Sequence, residues 1–367
     1  MEQITKPSVG APTAVTSVAS YALQIPTIRE FAPTDVGRWD RFVLSQPQGT
    51  FFHLTGWKRA IEKTFGYRPR YFYAENAGRI TAVAPLFSVS NWVTGSCLLS
   101  VPFGVYGGIC AQDQESDESL FDHLKKVARA EQVDYLELRN RKSSPYPECH
   151  FKTLYSTFTT ELSPDPAANL KRLPRDTRYM IRKAEKAGLQ TKRGFDQMND
   201  FYALFAESMR RHGTPVFPRA FFENLVDEFR DRMELLMVYA GEKPVAGVVS
   251  FFHGDTILPY YAGAGPEAPG LAANNLMYWE LMKSAAQSGI RWFDFGRSKK
   301  NTGSYAFKTQ WNMTVETLDY QVLLVKRKTV PNFSPVNPKF ELATRVWQRL
   351  PLRVTESLGP RVVRWFP

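Results

Sequence analysis

Two stretches of this chain occur twice, and this internal repeat constrains the fold more than any other feature. The segment YAENAGRITAVAPLF (73–87) matches YAGEKPVAGVVSFF (239–252), and DHLKKVARAEQVDYLELRN (122–140) matches WELMKSAAQSGIRWFDFGRS (279–298). The matching segments lie roughly 160 residues apart, which indicates duplication of a whole structural unit. The sequence therefore predicts two units of the same kind. We expect the functional site where the two copies differ by having charged residues and glycine.

Each copy reads as strands, a helix and a further strand, which predicts a small mixed α/β unit. Alternating apolar residues on both sides of an Asn-Ala-Gly turn at 76–78 predict two joined strands. The helix that follows has Ser116 or Asp117 as its cap, and the matching helix of the second copy has Asn274 or Asn275. The predicted boundaries are a flexible tail at 1–26, a first unit at 27–160, a second unit at 161–325 and a basic amphipathic tail at 326–367.

The cysteines and the hydropathy pattern indicate the cellular compartment in which the protein is expected. Cys97, Cys110 and Cys149 are far apart, form no CxxC pair and have no histidine at metal-ligand spacing. This pattern argues against a disulfide framework and against a zinc site. The sequence contains no apolar run of about 18 residues, so it predicts no transmembrane helix. The N-terminus lacks the pattern of a signal peptide. We expect a cytoplasmic protein without a metal.

Positive charge is concentrated in two segments. The chain has a net charge of +11, and residues 170–193 and 326–367 each contain nine Lys or Arg and two acidic residues. In the first segment Arg175, Arg178 and Arg182 recur at helical spacing and share one face. A solvated face is one interpretation, and a nucleic-acid-binding module is another. The third is a surface for an anionic substrate or carrier, which would offset the self-repulsion of the face.

The end of the second-copy strand carries the most charge. Asp294 lies between two Phe residues, and Arg297, Ser298 and Lys299 follow Gly296. Ligands of open α/β sheets gather at such strand ends, so we expect these three residues to bind an anionic substrate. Asp294 either faces solvent or orients Arg297 or a substrate amine. Tyr261 is a further candidate for substrate binding, against the alternative that it packs in the sheet.

Lys308 is the principal catalytic candidate. It follows Phe307 and precedes Trp311, and cation–π attraction to these rings would hold its ammonium in the charged form. No GxSxG, GxxxxGK[ST] or strand-linked GxGxxG motif is present. Without a nucleophile motif, the residues favour an acyl transfer in which the acceptor attacks the donor carbonyl directly. Such a reaction needs positioning and a donor for the oxyanion, the role predicted for Lys308.

Three segments carry a resemblance to a known family. The block NNLMYWELMKSAAQSGIRWFDFGRSKKNTGSYAFKTQW (274–311) resembles the signature of FemABX-type transferases, and LPRDTRYMIRKAEKAGL (173–189) is similar to their basic helix. The segment RRHGTPVFPRAFF (210–222) is most similar to the FemAB-related branch found with PEP-CTERM/exosortase and exopolysaccharide gene systems of Gram-negative bacteria. The resemblance covers roughly residues 28–325.

The resemblance implies a fold and a set of roles. It implies two tandem GNAT lobes that move an acyl or aminoacyl group, with Phe307 and Lys308 beside the acyl carbonyl. It also implies residues that hold substrate phosphates, whose nearest matches here are Arg178, Arg182, Arg297 and Tyr305.

The donor stays open between aminoacyl-tRNA and acyl-CoA. Residues 185–240 leave no room for the coiled-coil arm of some Fem enzymes, and no pyrophosphate motif follows Tyr260-Tyr261.

These observations lead to one functional hypothesis and two alternatives. The hypothesis is an acyl or aminoacyl transferase that forms an amide or ester on an anionic, lipid- or nucleotide-linked saccharide or peptide of the cell envelope or of an exopolysaccharide system. The alternatives are a non-catalytic scaffold and the nucleic-acid-binding module. In the tail, Leu342, Val346 and Leu350 share one helical face and Arg residues share another. This helix either packs on the protein or binds peripherally to anionic lipid.

Overall fold

The structure is a computed structural model that describes residues 25–141, 146–331 and 338–367. The N-terminal tail expected at 1–26 lies almost wholly outside these ranges. Within them, no helix is long and apolar enough to cross a membrane.

The first copy folds into strands that are flanked by three helices. Its helices are α1 (Val36–Ser45), α2 (Thr55–Phe65) and α3 (Gln114–Ala130). Its strands are β1 (Thr27–Glu30), β2 (Arg68–Asn76), β3 (Arg79–Asn91), β4 (Gly95–Ser100), β5 (Cys110–Ala111), β6 (Tyr135–Leu138) and β7 (His150–Glu161). The predicted hairpin is confirmed, because β2 and β3 pair antiparallel across the turn at 77–78.

The second copy repeats this order with additional helices and is followed by a C-terminal helical pair. Its strands are β8 (Gln190–Arg193), β9 (Met233–Ala240), β10 (Lys243–His253), β11 (Thr256–Ala264), β12 (Trp292–Asp294), β13 (Ser298–Lys299) and β14 (Thr314–Leu324). Its helices are α4 (Pro166–Arg172), α5 (Arg175–Lys186), α6 (Met198–Arg211), α7 (Arg219–Phe229), α8 (Ala268–Leu271), α9 (Ala273–Gln287) and α10 (Gly303–Thr309). The pair after β14 is α11 (Pro338–Arg349) and α12 (Leu352–Val363).

Both helices whose caps were predicted begin differently. Helix α3 begins at Gln114, and the Asp113 carboxylate caps it by accepting a hydrogen bond of 2.7 Å from the Ser116 amide. Helix α9 begins at Ala273 and has no side-chain cap, since Ala272 enters it in a left-handed conformation with φ of 55°. The predicted caps were therefore wrong, because the chain turns into each helix earlier than the apolar spacing indicates.

The strands described here all belong to one mixed sheet, in which the two units exchange their last strands. The order is β1-β2-β3-β4-β6-β14-β7-β12-β11-β10-β9-β8, with β5 beside β3 and β13 beside β7. Strand β7 of the first unit pairs with β12 of the second, and β14 of the second pairs with β6 of the first. The two exchanged strands also pair with each other at the centre. The units are therefore joined by strand hydrogen bonds along the middle of the sheet.

Three buried clusters pack against this sheet. A shared core joins helices of both units and contains Trp39, Trp57, Phe221 and Phe251. A second cluster lies between α5, α9 and the strands of the second unit, and a third lies between α3 and the strands of the first. Burial of each large side chain contributes about 1.5–3 kcal/mol, so the shared core couples the stability of the two units.

Candidate functional site

Parallel strands diverge at equivalent places in the two units, and a large cavity lies there. Strands β11 and β12 pair at 256–257 with 292–293 and then separate, and β4 and β6 separate after Leu99 and Glu137. Cavity 1, of about 620 Å³, is lined from both units; its walls include Glu137, Arg139, Tyr260, Arg297 and Lys308. Residues of α11, α12 and the C-terminal end of the chain line it as well.

Lys308 contacts the end of β12 from helix α10. Its Nζ donates to the carbonyl oxygens of Phe295 (2.6 Å), Gly296 (3.2 Å) and Arg297 (3.1 Å). The nearest rings over the ammonium are those of Phe158 and Phe295, at 5.8 and 5.9 Å. The sequence had indicated Phe307 and Trp311 instead, and that assignment was wrong because α10 turns the ammonium away from its own neighbours. Burial lowers the pKa of Lys308 to about 7, although Asp294 opposes the shift. The amine is therefore not held permanently charged.

Arg297 is half-buried between two tyrosine rings. Its guanidinium lies 4.7 Å from the Tyr155 ring centre and donates to the Tyr320 hydroxyl at 3.2 Å. The Tyr320 hydroxyl in turn donates to the Val105 carbonyl of the first unit. Among residues 25–141, 146–331 and 338–367, no carboxylate forms an ion pair with Arg297. A guanidinium stays charged at all physiological pH values, so Arg297 offers cavity 1 a fixed positive charge.

Two further predicted residues also line cavity 1. The Ser298 hydroxyl is buried and has no hydrogen-bond partner among the described residues. Tyr261 is 6% exposed and packs edge-on against Phe217 and Phe222, and its hydroxyl likewise has no partner within that set. The ring of Tyr261 therefore packs in the core while the residue lines cavity 1, and its role in substrate binding stays a prediction.

Asp294 faces a different cavity. Cavity 2, of about 490 Å³, shares no lining residue with cavity 1 among those described, and is lined by Asp294, Arg141, Asn140 and Tyr106 among others. One carboxylate oxygen of Asp294 accepts from the Gly296 amide at 2.7 Å, and the other lies 3.5 Å from Arg141. Asp294 is 2% exposed, so it does not face solvent. The expected contact with Arg297 does not form either, because successive side chains after β12 face opposite sides of the sheet and the two residues are an odd number of positions apart. Burial raises the pKa of Asp294, although Arg141 opposes the shift.

The equivalent strand end of the first unit carries a closed charge cluster. Glu137 is 3% exposed and pairs with Arg139 at 3.1 Å and Lys152 at 3.0 Å. Arg139 also donates to the carbonyls of Val101 and Gly104. Burial alone would raise the pKa of Glu137, but Lys152 and Arg139 outweigh it and hold the pKa at about 2.

Five predicted site residues line neither cavity. Arg178 and Arg182 lie on α5, whose buried face packs on α9; Arg182 is exposed and Arg178 half-buried. Lys299 pairs through its backbone with Tyr155. The Tyr305 ring packs against Phe158, and the Phe307 ring packs against Trp311.

The structure adds residues that the sequence reasoning missed. Tyr155 and Tyr320 enclose Arg297, while Arg141 and Tyr106 contact Asp294. The first two lie on exchanged strands, and sequence patterns carry no signal for that exchange. The cluster around Glu137 did have a signal, since the repeat aligns Glu137 with Asp294 and an arginine follows shortly after each of them.

These features define a fold class: a mixed α/β protein built from two GNAT-like units in tandem. Residues 171–309 match the acetyltransferase (GNAT) domain family. The chain is similar to the solved structure of FemX, with 16% identity, 87% of this chain and 100% of that chain covered, and a TM-score of 0.63. The fold expected from the repeat and from the family resemblance is confirmed.

Two other solved structures support the same class. One is the C-terminal domain of a protein described as a lysylphosphatidylglycerol synthetase from Agrobacterium fabrum (13% identity, 79% of this chain, 92% of that chain, TM-score 0.55). The other is a tandem GNAT protein from the clavulanic acid biosynthesis pathway (12% identity, 84% of this chain, 99% of that chain, TM-score 0.50). No curated protein matches the sequence. At these identities the likeness establishes the fold.

Proposed function

We propose that this protein is an acyl or aminoacyl transferase that forms an amide or ester on an anionic acceptor of the cell envelope or of an exopolysaccharide system. One observation carries the proposal. Where β11 and β12 diverge, Arg297 and Lys308 line cavity 1, and in the described parts of the chain no carboxylate pairs with either. An anionic ligand would offset this charge, and a developing oxyanion would be stabilised beside Lys308.

Lys308 would act as the oxyanion donor in its ammonium form. Its two longer bonds, 3.1 and 3.2 Å to the carbonyls of Arg297 and Gly296, are the ones that an oxyanion would replace. A charged acceptor forms a stronger hydrogen bond than a neutral carbonyl. Because the pKa of Lys308 is about 7, the active form decreases as the pH rises above neutrality.

Asp294 would position Lys308 from cavity 2 through the loop after β12, because its carboxylate accepts from the Gly296 amide while Lys308 donates to the Gly296 carbonyl. In the transfer step the new bond joins the acceptor nitrogen or oxygen to the carbonyl carbon, and the bond from that carbon to the carrier breaks. The carrier leaves with the proton that the acceptor gives up.

Arg297 would hold a phosphate or carboxylate of the substrate in cavity 1. The face of α5 with Arg178 and Arg182 lies outside both cavities and would contact the more distant part of an anionic donor, such as tRNA. The similarity of residues 210–222 to the PEP-CTERM/exosortase-associated branch supports an exopolysaccharide-related acceptor.

The test is complementation of a deletion strain of the native host with Lys308→Ala, with envelope and polysaccharide products read by mass spectrometry. Lys283→Ala is the matched control, since Lys283 lies on α9, pairs with Glu280 and lines neither cavity. We expect a folded Lys308 variant to lose one acyl or aminoacyl mass that the control retains. Removal of one oxyanion donor typically slows such reactions about 10²–10³-fold. A folded Lys308 variant with unchanged products would refute transfer and favour the scaffold.

A further inference from the structure

Exposed apolar side chains are concentrated on the C-terminal helical pair. Four of the ten large apolar residues that the structure describes as exposed lie there: Leu342 (75%), Val346 (53%), Val354 (37%) and Leu358 (39%). Each helix contributes two of them at a spacing of four residues, so they form one outward stripe on α11 and one on α12.

The opposite faces of the two helices are firmly seated. A Cβ at Gly213 would collide with Thr344 of α11, and a Cβ at Gly359 of α12 would collide with Val216. Arg210 of α6 donates a hydrogen bond to the Gln348 carbonyl of α11, and the Gln348 side-chain amide donates to the Arg211 carbonyl of α6. The helices therefore pack on the protein, and their apolar stripes are left outside because the inward positions are already filled.

The exposed stripes are surrounded by positive charge. Residues 338–367 contain six Lys or Arg and two Glu. Five arginines of this segment are exposed, namely Arg345, Arg349, Arg353, Arg361 and Arg364. Cationic side chains beside an apolar face at low net hydrophobicity are the composition of helices that lie in a membrane interface.

A pair of tryptophans adds to the same surface. Trp92, in the turn between β3 and β4, is 79% exposed and meets Trp365 edge-on at 5.4 Å. The Asn91 side chain fixes this turn by accepting hydrogen bonds from the amides of Val93 and Thr94. Tryptophan favours the headgroup level of a bilayer, where its ring is buried and its N–H stays hydrated.

We infer that the outer faces of α11 and α12, together with Trp92, bind the surface of an anionic lipid bilayer. The charge selects this occupant, because a second copy of the chain would place two strongly basic faces together. With helices of 12 residues each, the segment lies on the bilayer. Binding does not depend on the proposed transfer reaction. It would bring the wall of cavity 1 formed by Val362 and Phe366 close to the headgroups.

The test is flotation of the full-length protein with vesicles of phosphatidylcholine alone and of an equimolar mixture with phosphatidylglycerol. We expect flotation with the anionic vesicles only, and release at high salt. The triple variant Leu342→Ser/Val346→Ser/Leu358→Ser should bind at least about tenfold more weakly. Arg345→Gln/Arg349→Gln/Arg353→Gln should lose the preference for anionic lipid. The matched control is Leu44→Ser/Val315→Ser, which alters two exposed apolar residues elsewhere.

Three outcomes would overturn the inference. One is a wild-type protein that does not float with anionic vesicles. Another is a control variant that loses flotation as strongly as the triple variant. The third is a triple variant that floats as well as the wild type; if light scattering then shows that it has lost a dimer formed by the wild type, the face is a contact between copies. Circular dichroism of every variant checks that it is folded. Loss of flotation with retained product in the host would leave the transfer proposal intact.

Discussion

Acidic and basic side chains occur at the end of the equivalent strand in both copies of the repeat, but they pair in the first copy and lie apart in the second. In the first unit Glu137 lies between Arg139 and Lys152, and the pKa of its carboxyl is held at about 2. In the second unit Asp294 faces away from Arg297 and Lys308, its pKa is raised, and the pKa of Lys308 falls to about 7. In the first cluster both cations pair with the same carboxylate, whereas in the second Asp294 lines cavity 2, apart from Arg297 and Lys308 in cavity 1.

This difference indicates which of the two copies can bind a ligand. A buried ion pair whose partners are satisfied contributes to structure and has little left to offer a substrate. Buried charges that do not pair with one another lower stability, and they persist at sites where function requires them. We therefore expect substitutions in the first cluster to change folding, and substitutions in the second to change activity and pH dependence.

The largest expected effect is on the first cluster. Glu137→Gln should lower the free energy of unfolding by about 3–5 kcal/mol at pH 7, because it leaves two buried cations without their anion. Asp294→Asn should change it by less than about 1 kcal/mol, since its ionised form is already disfavoured by burial. Urea denaturation of both variants measures this. Equal losses in the two variants would mean that the clusters do not differ in the way described.

The pH dependence of the free energy of unfolding distinguishes the second cluster, because it contains Lys308. The pKa of Lys308 is lower in the folded state than in the unfolded chain, so the unfolded chain binds more protons across this window and stability rises with pH. The gain amounts to about 3 kcal/mol between about pH 7 and pH 9.5. Lys308→Met should remove it. Denaturation midpoints across this range, wild type against variant, give the measurement, and parallel curves would show that the Lys308 amine is not perturbed by burial.

The two arginines offer a third contrast. Arg297→Met should stay folded, because no carboxylate in the described ranges loses its partner, and should reduce product about 10–100-fold, the effect of one lost charge-assisted contact of 1.5–3 kcal/mol. Arg139→Met should instead lower the thermal midpoint, since it removes a partner of buried Glu137. Product yield and thermal unfolding of both variants test this. A stable Arg139 variant without product would assign function to the first copy.

Local patterns predicted much of the fold, and long-range pairing accounts for the rest. Three features could be predicted from the sequence because each depends on neighbouring residues: the repeat, the hairpin at 76–78 and the strand that ends at Asp294. The exchange of β7 and β14 could not, since it joins segments more than 150 residues apart, such as Thr159 with Thr314. Arg297 and Lys308 were both named from the sequence and both line cavity 1, but the rings of Tyr155 and Tyr320 reach Arg297 only through that exchange. The contact of Arg141 with Asp294 joins the two units and leaves no periodic trace.

The smallest effect concerns the glycine that separates the two cavities. Gly296 has a φ of 64°, which disfavours any side chain, and a Cβ there would lie 3.3 Å from Leu258. Gly289 has a φ of 78° with open space around it, so it is the matched control. Alanine at either position should lower the free energy of unfolding by about 1 kcal/mol through backbone strain. Only Gly296→Ala should also reduce product, because the Gly296 amide holds Asp294 and its carbonyl holds Lys308. Equal product from both variants, at equal stability, would show that the loop after β12 need not be exact for transfer.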